Sequence, residues 1–406
     1  MSTYDDLAWL GGWEGYRVGN VEREGGERPR IWISLTPAAF GEMICEGCSG
    51  RVRALHDIVY RQVRDLPILD AATWLVVPRR RVACPRCGPR LERLSWLGRY
   101  SRVTRRLAES VARLCAILPI KQVAAFFGLS WGTVKAIDKH DLEATLGPIE
   151  LSGVEVITMD EFAIHKGHRY ATVIIDPRVK KVLWVGRGRS REAIRPFFKR
   201  LGVEGRFALK AVAMDMNAPY EEEVRYQCPR AEIVYDLFHV VAKYGREVID
   251  RVRVDEVNRL RGDKTARKVV KGAKWLLLKN RENIETDQDR VRLEELLAAN
   301  QSLMCVYVLK DDLKELWRLH DHSQARTAWD SWHARAIESG IAPLIAFAKR
   351  LRKYLSGILA HCRWPLHTSL LEGFNNKIKV IKRMAYGFRD DDYFFLKIRA
   401  AFPGIR

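Results

Sequence analysis

Two runs of this sequence end a β-branched stretch on a carboxylate. Val154, Val156 and Ile157 lead into Met159-Asp160-Glu161, and Leu209-Lys210-Ala211-Val212-Ala213-Met214 leads into Asp215. Runs of this composition read as strands, which puts each Asp at a strand end, beside a core yet within reach of solvent. Two carboxylates converging at one sheet edge is how a magnesium site is built. Taken alone, Asp160 reads more simply as a strand-end cap or as the partner of Lys166 or Arg169 across a Lys166-Gly167-His168 turn. The second strand with the same ending shifts the balance toward a metal site.

Two further acids compete to be the third ligand. Ala231 to Tyr235 is another strand-like run, and it ends in Asp236-Leu237-Phe238-His239. Near the C-terminus a helix is expected from Leu366 to about Arg383; at about 100° per residue, Leu371, Phe374, Ile378, Ile381 and Ala385 share one face, to be packed on the sheet. Glu372, Asn376, Lys379 and Arg383 share the other. A carboxylate aligned with an amide and two cations suits a metal ligand beside a phosphate backbone, but a solvated Glu-to-Lys ladder has the same pattern.

A second chemistry is written in thiols. Cys45-Glu46-Gly47-Cys48 and Cys84-Pro85-Arg86-Cys87 are two CxxC knuckles, and four thiolates in a tetrahedron are what one structural Zn²⁺ accepts. Between them Thr73 to Val77 and Arg79-Arg80-Arg81 suit a zinc ribbon carrying a basic strand. Cys115, Cys228, Cys305 and Cys362 lie singly in apolar or helical settings, so the cysteines are metal ligands and buried thiols, not a disulfide framework. Downstream, Pro119 to His140 carries a helix-turn-helix pattern: Val123, Ala124 and Phe127 face inward, Gly128 turns, and Val134 and Ile137 anchor a second helix. That leaves Ser130, Trp131, Thr133, Lys135 and Lys139 available to a major groove, with an ordinary helical hairpin as the alternative.

The elements that must position these groups form a multidomain α+β chain of 406 residues, 47% hydrophobic and 30% charged, long enough for two or three domains. Residues 1–98 hold the zinc ribbon after an irregular or partly stranded lead-in, and 99–148 the helix-turn-helix. From residue 149 to 239 strands are expected at about 153–162, 169–176, 180–187, 207–215 and 231–236, with helices near 190–202 and 218–227. Three antiparallel strands followed by helix-linked parallel ones is the ribonuclease-H-like order, in which the first and fourth strands are neighbours. Residues 240–362 read as an all-helical insertion leaning on DNA, with tryptophans at 275, 317, 329 and 332 and basic clusters at Lys264 to Lys274 and Lys349 to Lys353. Residues 363–406 return to complete the α/β domain.

A formal charge of +20 and a pI near 9.7 point to a polyanionic partner. No apolar run approaches the roughly 18 residues of a spanning helix, and the N-terminus lacks a basic n-region and an h-region. A cytoplasmic, nucleoid-associated protein that binds nucleic acid, not a membrane, is the expectation.

With these residues in place the sequence resembles the DDE transposases of bacterial insertion sequences of the ISL-three type. The resemblance is carried by MDEFAIHKGHRYATVIID, MDMNAPYEEEV, AEIVYDLFHVV and EGFNNKIKVIKRMAYGFRDDDYFFLKI, with the ribbon and helix-turn-helix upstream, and spans about residues 40 to 400. It implies that Asp160, Asp215 and Glu372 are the catalytic triad, holding two Mg²⁺ (Mn²⁺ as substitute), with Asp236 and His239 around them. It further implies cleavage and strand transfer of double-stranded DNA at terminal inverted repeats by a homodimer or higher oligomer, with Lys379 and Arg383 bracing the strand. A zinc-containing regulator or a nuclease without transfer activity is the alternative. Asn217 departs from the family, which often has a bulky residue there.

Overall fold

The structure, a computed structural model, describes residues 11–38, 41–165, 167, 169–366 and 369–405, with the side chains of 369–371 left out. Lys166, His168 and the Leu371 side chain therefore lie outside the described residues. The chain divides into two compact units, one running to Gly147 and including Arg383–Tyr386, the other made of Pro148–Lys382 and Gly387–Arg406.

The first unit contains β1 (Tyr16–Glu24), β2 (Arg30–Pro37), β3 (Met43–Ile44), β4 (Arg51–Val52), β5 (Leu55–Arg64), β6 (Ala72–Cys84) and β7 (Gly88–Leu91). The main sheet runs β1-β2-β6-β5 with β7 also on β6, and β3 and β4 form a separate pair. The lead-in is thus a hairpin built into the sheet, because its alternating Tyr16, Val18, Ile33 and Leu35 close a core with Leu75, Val77 and Trp96. The basic strand does not face a partner: Arg79 and Arg80 are 1% and 6% exposed. Arg80 Nε donates to Glu92 Oε2 at 2.8 Å, Arg79 to the Glu92 carbonyl at 3.0 Å, and Arg81 to Asp57 at 2.6 Å. Buried cations need such partners, so Arg79 and Arg80 serve the sheet, and the half-exposed Arg81 is paired with the neighbouring strand. Helices Arg105–Cys115, Ile120–Phe127 and Trp131–Leu146 follow, packed through Leu107, Val111, Val123, Phe127 and Val134.

The second unit is built on β8 (Val156–His165), β9 (Arg169–Asp176), β10 (Lys181–Arg187), β11 (Ala211–Met214) and β12 (Glu232–Tyr235). Their order is β10-β9-β8-β11-β12; the first three are antiparallel, while β11 is parallel to both β8 and β12. The β-branched runs produce this order because β8 is apolar on both faces and needs cover on each. Helices Arg191–Ala208, interrupted at Gly202 (φ 73°), and Ala218–Gln227 make the crossovers. On one side Ile157, Met159, Val212 and Met214 merge with the insertion's core, where Trp329 and Trp332 also sit. On the other, Phe162, Ile164, Val173 and Ile175 receive Phe374 and Ile378 of helix Ser369–Met384, and Phe394 and Ile398 of helix Asp391–Ala401.

The segment 240–362 is helical, as its apolar spacing predicts. Three of its tryptophans are not DNA-facing: Trp317, Trp329 and Trp332 are 8%, 2% and 1% exposed, whereas Trp275 is 73% exposed. Indoles at helical spacing found a core before they found a ligand, and Trp332 Nε1 donates to the Leu309 carbonyl at 2.8 Å to satisfy its own polar atom.

Candidate active site

The register of three strands brings the carboxylates together. Val156 lies opposite Ala211 and Thr158 opposite Ala213, so two residues further on, past the end of the ladder, come Asp160 and Asp215. Met214 lies opposite Tyr235, and the next residues are Asp215 and Asp236. Side chains alternate between faces with period two. Val156, Ala211, Ala213 and Val234 share one small core with Ala360, and Asp160, Asp215 and Asp236 project to that same face, the face that also receives helix Ser369–Met384.

Hydrogen bonds hold the cluster in place. The Glu161 N–H donates to Asp160 Oδ1 at 2.7 Å, and Asn375 Nδ2 donates to Asp160 Oδ2 at 2.5 Å. Asp236 caps helix Leu237–Tyr244, accepting from the Phe238 N–H at 2.7 Å, and its Oδ2 lies 3.9 Å from His239 Nε2. Arg189 reaches Glu161 Oε1 at 3.2 Å.

Electrostatically the site is overloaded with negative charge. Burial pushes the Asp215 carboxyl up to about 6, with the charges of Asp160, Glu161 and Asp236 acting the same way and His239 opposing. The Asp236 carboxyl also rises to about 6, again chiefly by burial, with Asp160 adding to it and His239 and the Phe238 N–H pulling it down. Glu161 Oε2, Asn375 Oδ1 and Thr158 Oγ1 are buried without a hydrogen-bond partner among the described residues. Carboxylates that raise one another's pKa beside orphaned acceptors are an environment a divalent cation relieves, and among the described residues no three of these acids bring their oxygens within 4.8 Å of one another.

Glu372 comes from outside the sheet. It is exposed on helix Ser369–Met384, and Asn376, Lys379 and Arg383 are exposed on the same helix. What ties the helix to the carboxylates is Asn375, a residue that the helical-wheel reading passed over in favour of Asn376. The signal was present: at about 100° per residue, Asn375 falls between Glu372 and the buried Ile378, whereas Asn376 turns away from the sheet. Glu161, next to Asp160, was also missed as a member of the acidic group.

The thiols converge as their spacing requires. The Sγ atoms of Cys45, Cys48, Cys84 and Cys87 all lie within 4.8 Å of one another, and among the described residues they are the group that closes to metal-binding dimensions. A Cβ at Gly47 would come to 3.2 Å from Cys87 Sγ, so a larger residue there would press on the knuckle by a few tenths of an ångström. The Cys84 thiol is lowered to about 7, first by the Arg86 backbone N–H, while the Cys87 thiol is pushed up to about 12, first by its hydrogen bond with Cys48, so the first thiolate of the group falls on Cys84.

In the helix-turn-helix, Gly128 takes the left-handed conformation (φ 63°) that ends helix Ile120–Phe127. Ser130 caps the second helix, accepting from the Thr133 N–H at 3.1 Å and pairing with the Thr133 hydroxyl at 2.8 Å. Trp131 is 54% exposed, and Lys135 Nζ lies 5.7 Å from its ring; Lys139 is half-buried.

Known proteins match this layout segment by segment. Residues 157–398 match the ISL3 DDE family described as "Transposase", residues 92–142 the "Helix-turn-helix domain of transposase family ISL3", and residues 41–87 the "zinc-finger of transposase IS204/IS1001/IS1096/IS1165". The transposase for insertion sequence element IS1001 of Bordetella parapertussis is 56% identical over 396 residues, 97% of each chain. The transposase for insertion sequence element IS1557 of Mycobacterium tuberculosis is 27% identical over 395 residues, 91% of this chain and 87% of the relative. Together the matches show a DNA-binding transposase with a zinc ribbon, an enzyme of the DDE class. The chain belongs to the ISL3 family. Among the described residues no helix is long and apolar enough to cross a membrane.

Proposed function

We propose that residues 149–239 and 363–406 form a ribonuclease-H-like catalytic domain around the insertion at 240–362, with the zinc ribbon in 1–98 and the helix-turn-helix in 99–148. Asp160, Asp215 and Glu372 hold two Mg²⁺, and the enzyme cleaves and joins double-stranded DNA at the terminal inverted repeats of its own element. The observation that carries this is the meeting of Asp160 and Asp215 on one face, level with each other, beneath the helix that bears Glu372.

When bound, the cations supply Lewis-acid activation of the attacking oxygen and charge stabilisation at the leaving 3′ oxygen. The chain's own residues orient and select. Asn375 and the Glu161 N–H each occupy one oxygen of Asp160 and so fix its rotamer. Asp236, held by the Phe238 N–H and close to His239, orients neighbouring groups without carrying the reaction. Lys379 and Arg383 contact the phosphates of the scissile strand. Ser130, Trp131, Thr133, Lys135 and Lys139, on a helix capped by Ser130, read the repeat, with phosphate contacts setting affinity and base-edge contacts setting sequence. The working form is a homodimer or higher oligomer on DNA, in the cytoplasm at the nucleoid.

The test is incubation of the purified protein with Mg²⁺ and the DNA flanking its own gene, with products mapped at nucleotide resolution. Free 3′ ends at the element's termini and their joining to a target are expected. Cleavage without any joined product would reduce the activity to that of a nuclease, and no cleavage with Mg²⁺ or Mn²⁺ would overturn the site.

A further inference from the structure

A cleft of about 1020 Å³ opens in the first unit, between the outer face of β5 and β6 and the start of the second helix of the helix-turn-helix. Its walls include Tyr60, Arg61, Arg102 and Tyr100 on one side and Ser130 and Thr133 on the other, and no Asp or Glu lines it. Tyr60 and Tyr100 are 70% and 66% exposed. Arg61 and Arg99 lie over the Tyr100 ring at 5.8 and 4.8 Å, and Arg61 Nη1 also donates to the Arg99 carbonyl at 3.3 Å. A guanidinium resting on an aromatic face is pre-organised, and its in-plane donors match phosphate oxygens.

Hydrogen bonds tie the two walls together. Arg64 at the end of β5 donates 2.9 Å to the carbonyl of Phe127, the last residue of the first helix, and 3.0 Å to that of Thr73. The segment before helix Arg105–Cys115 is stitched to the same strand end, Arg64 N–H to Arg102 at 2.8 Å and Thr104 N–H to Arg64 at 2.9 Å. The distance from β5 to the helix that enters a major groove is therefore set by the fold.

The geometry points to this cleft as the seat of a sugar-phosphate strand, the one bordering the major groove that the second helix enters. The assignment rests on the reading of that helix as the DNA-recognition element. A recognition helix contacts bases with its N-terminal residues, so the backbone ridge flanking the groove passes beside Ser130 and Thr133. There Arg61 and Arg102 supply the charge, and the helix N-terminus adds its dipole. Of the cleft's three aromatic rings, Tyr100 is covered by Arg61 and Arg99 and Trp74 by Trp32 at 5.6 Å and Arg64 at 5.4 Å, which leaves Tyr60 as the ring open to a base and favours backbone over a stack of extruded bases.

The experiment is equilibrium binding of the full-length protein to a duplex of the element's end, to a random duplex and to a random single strand, across about 50 to 200 mM salt. Zinc content and melting temperature serve as checks of folding. Each arginine that meets a phosphate contributes about 0.9 to the slope of log affinity against log salt. Arg61→Ala combined with Arg102→Ala should flatten the slope by about 1.8 and weaken both duplexes by the same factor; the corresponding lysine variants should keep most of the slope. An unchanged slope in the folded alanine variant would overturn the assignment, as would a loss confined to single-stranded DNA, which would mark a base-stacking site. Failure of the wild-type protein to prefer the element's end would count against the recognition reading instead, while the slope on random duplex would still decide the cleft.

Discussion

At the scale of single residues, the site's chemistry depends on which acid completes it. Asp236 has its place in the sheet, beside Asp215, but its carboxylate is already engaged as a helix cap. Glu372 is exposed and unburdened by burial, on a helix that Asn375 anchors to Asp160. Glu372→Gln should therefore abolish cleavage at any Mg²⁺ concentration while leaving DNA binding intact, because the charge that holds a cation is lost and the recognition elements are untouched. Asp236→Asn should retain slow cleavage, reduced roughly 10- to 100-fold as for other groups that orient a ligand. Nucleotide-resolution cleavage assays rank the two, and the reverse order would move the site to the end of β12. Asn375→Ala should raise the Mn²⁺ concentration needed for half-saturation, read by the metal's paramagnetic resonance signal in the absence of DNA. Unchanged Mn²⁺ binding would reduce Asn375 to a packing contact.

At the scale of elements, the strands were legible and their fastenings were not. β8, β9 and β11 announce themselves by β-branched runs, and the neighbouring positions of the first and fourth strands follow from the order of strands and helices. The convergence of Asp160 and Asp215 could thus be read ahead of the structure. Period alone turns Asn375 toward the sheet and Asn376 away from it, but that the Asn375 amide meets Asp160 follows only from the packing angle of the helix. Nor does sequence show that Arg79 and Arg80 are buried, because their partner Glu92 lies beyond the next turn. The same holds for Asp65, fully buried where the sheet meets the helices. It accepts from Trp13 Nε1 at 2.8 Å, Thr104 Oγ1 at 2.5 Å and Arg106 Nε at 2.8 Å, donors 39 to 52 residues away. Asp65→Ala removes the acceptor shared by Trp13, Thr104, Arg106 and the Leu66 N–H, one of them a cation, and should cost about 3 to 5 kcal/mol. Chemical denaturation measures this; a loss below about 1 kcal/mol would show that the joint is dispensable.

At the scale of the whole molecule, the chain carries separate cores in its two units. Trp13, Leu35, Leu75 and Trp96, the thiol cluster, and the helix-turn-helix core all precede Gly147. The sheet of β8 to β12 and the insertion share theirs beyond Pro148. The thiol cluster closes on few apolar residues, Met43, Val52 and Val82, so the ribbon leans on its metal, and a structural Zn²⁺ brings about 10 kcal/mol or more to a small fold of this kind. That is comparable with the whole stability of an ordinary domain, about 5 to 15 kcal/mol. Removing the metal, by chelation or by Cys84→Ser, should melt the ribbon and weaken the sheet it adjoins, while the β8-to-β12 unit keeps its own transition. Calorimetry should show two transitions in the zinc-bound protein, of which only one falls to lower temperature on chelation, and DNA binding should fall with it. One released zinc per chain is expected by metal analysis. A folded, reduced protein with no zinc would sink the ribbon's dependence on metal, and a single transition that shifts as a whole would show that the two units fold as one.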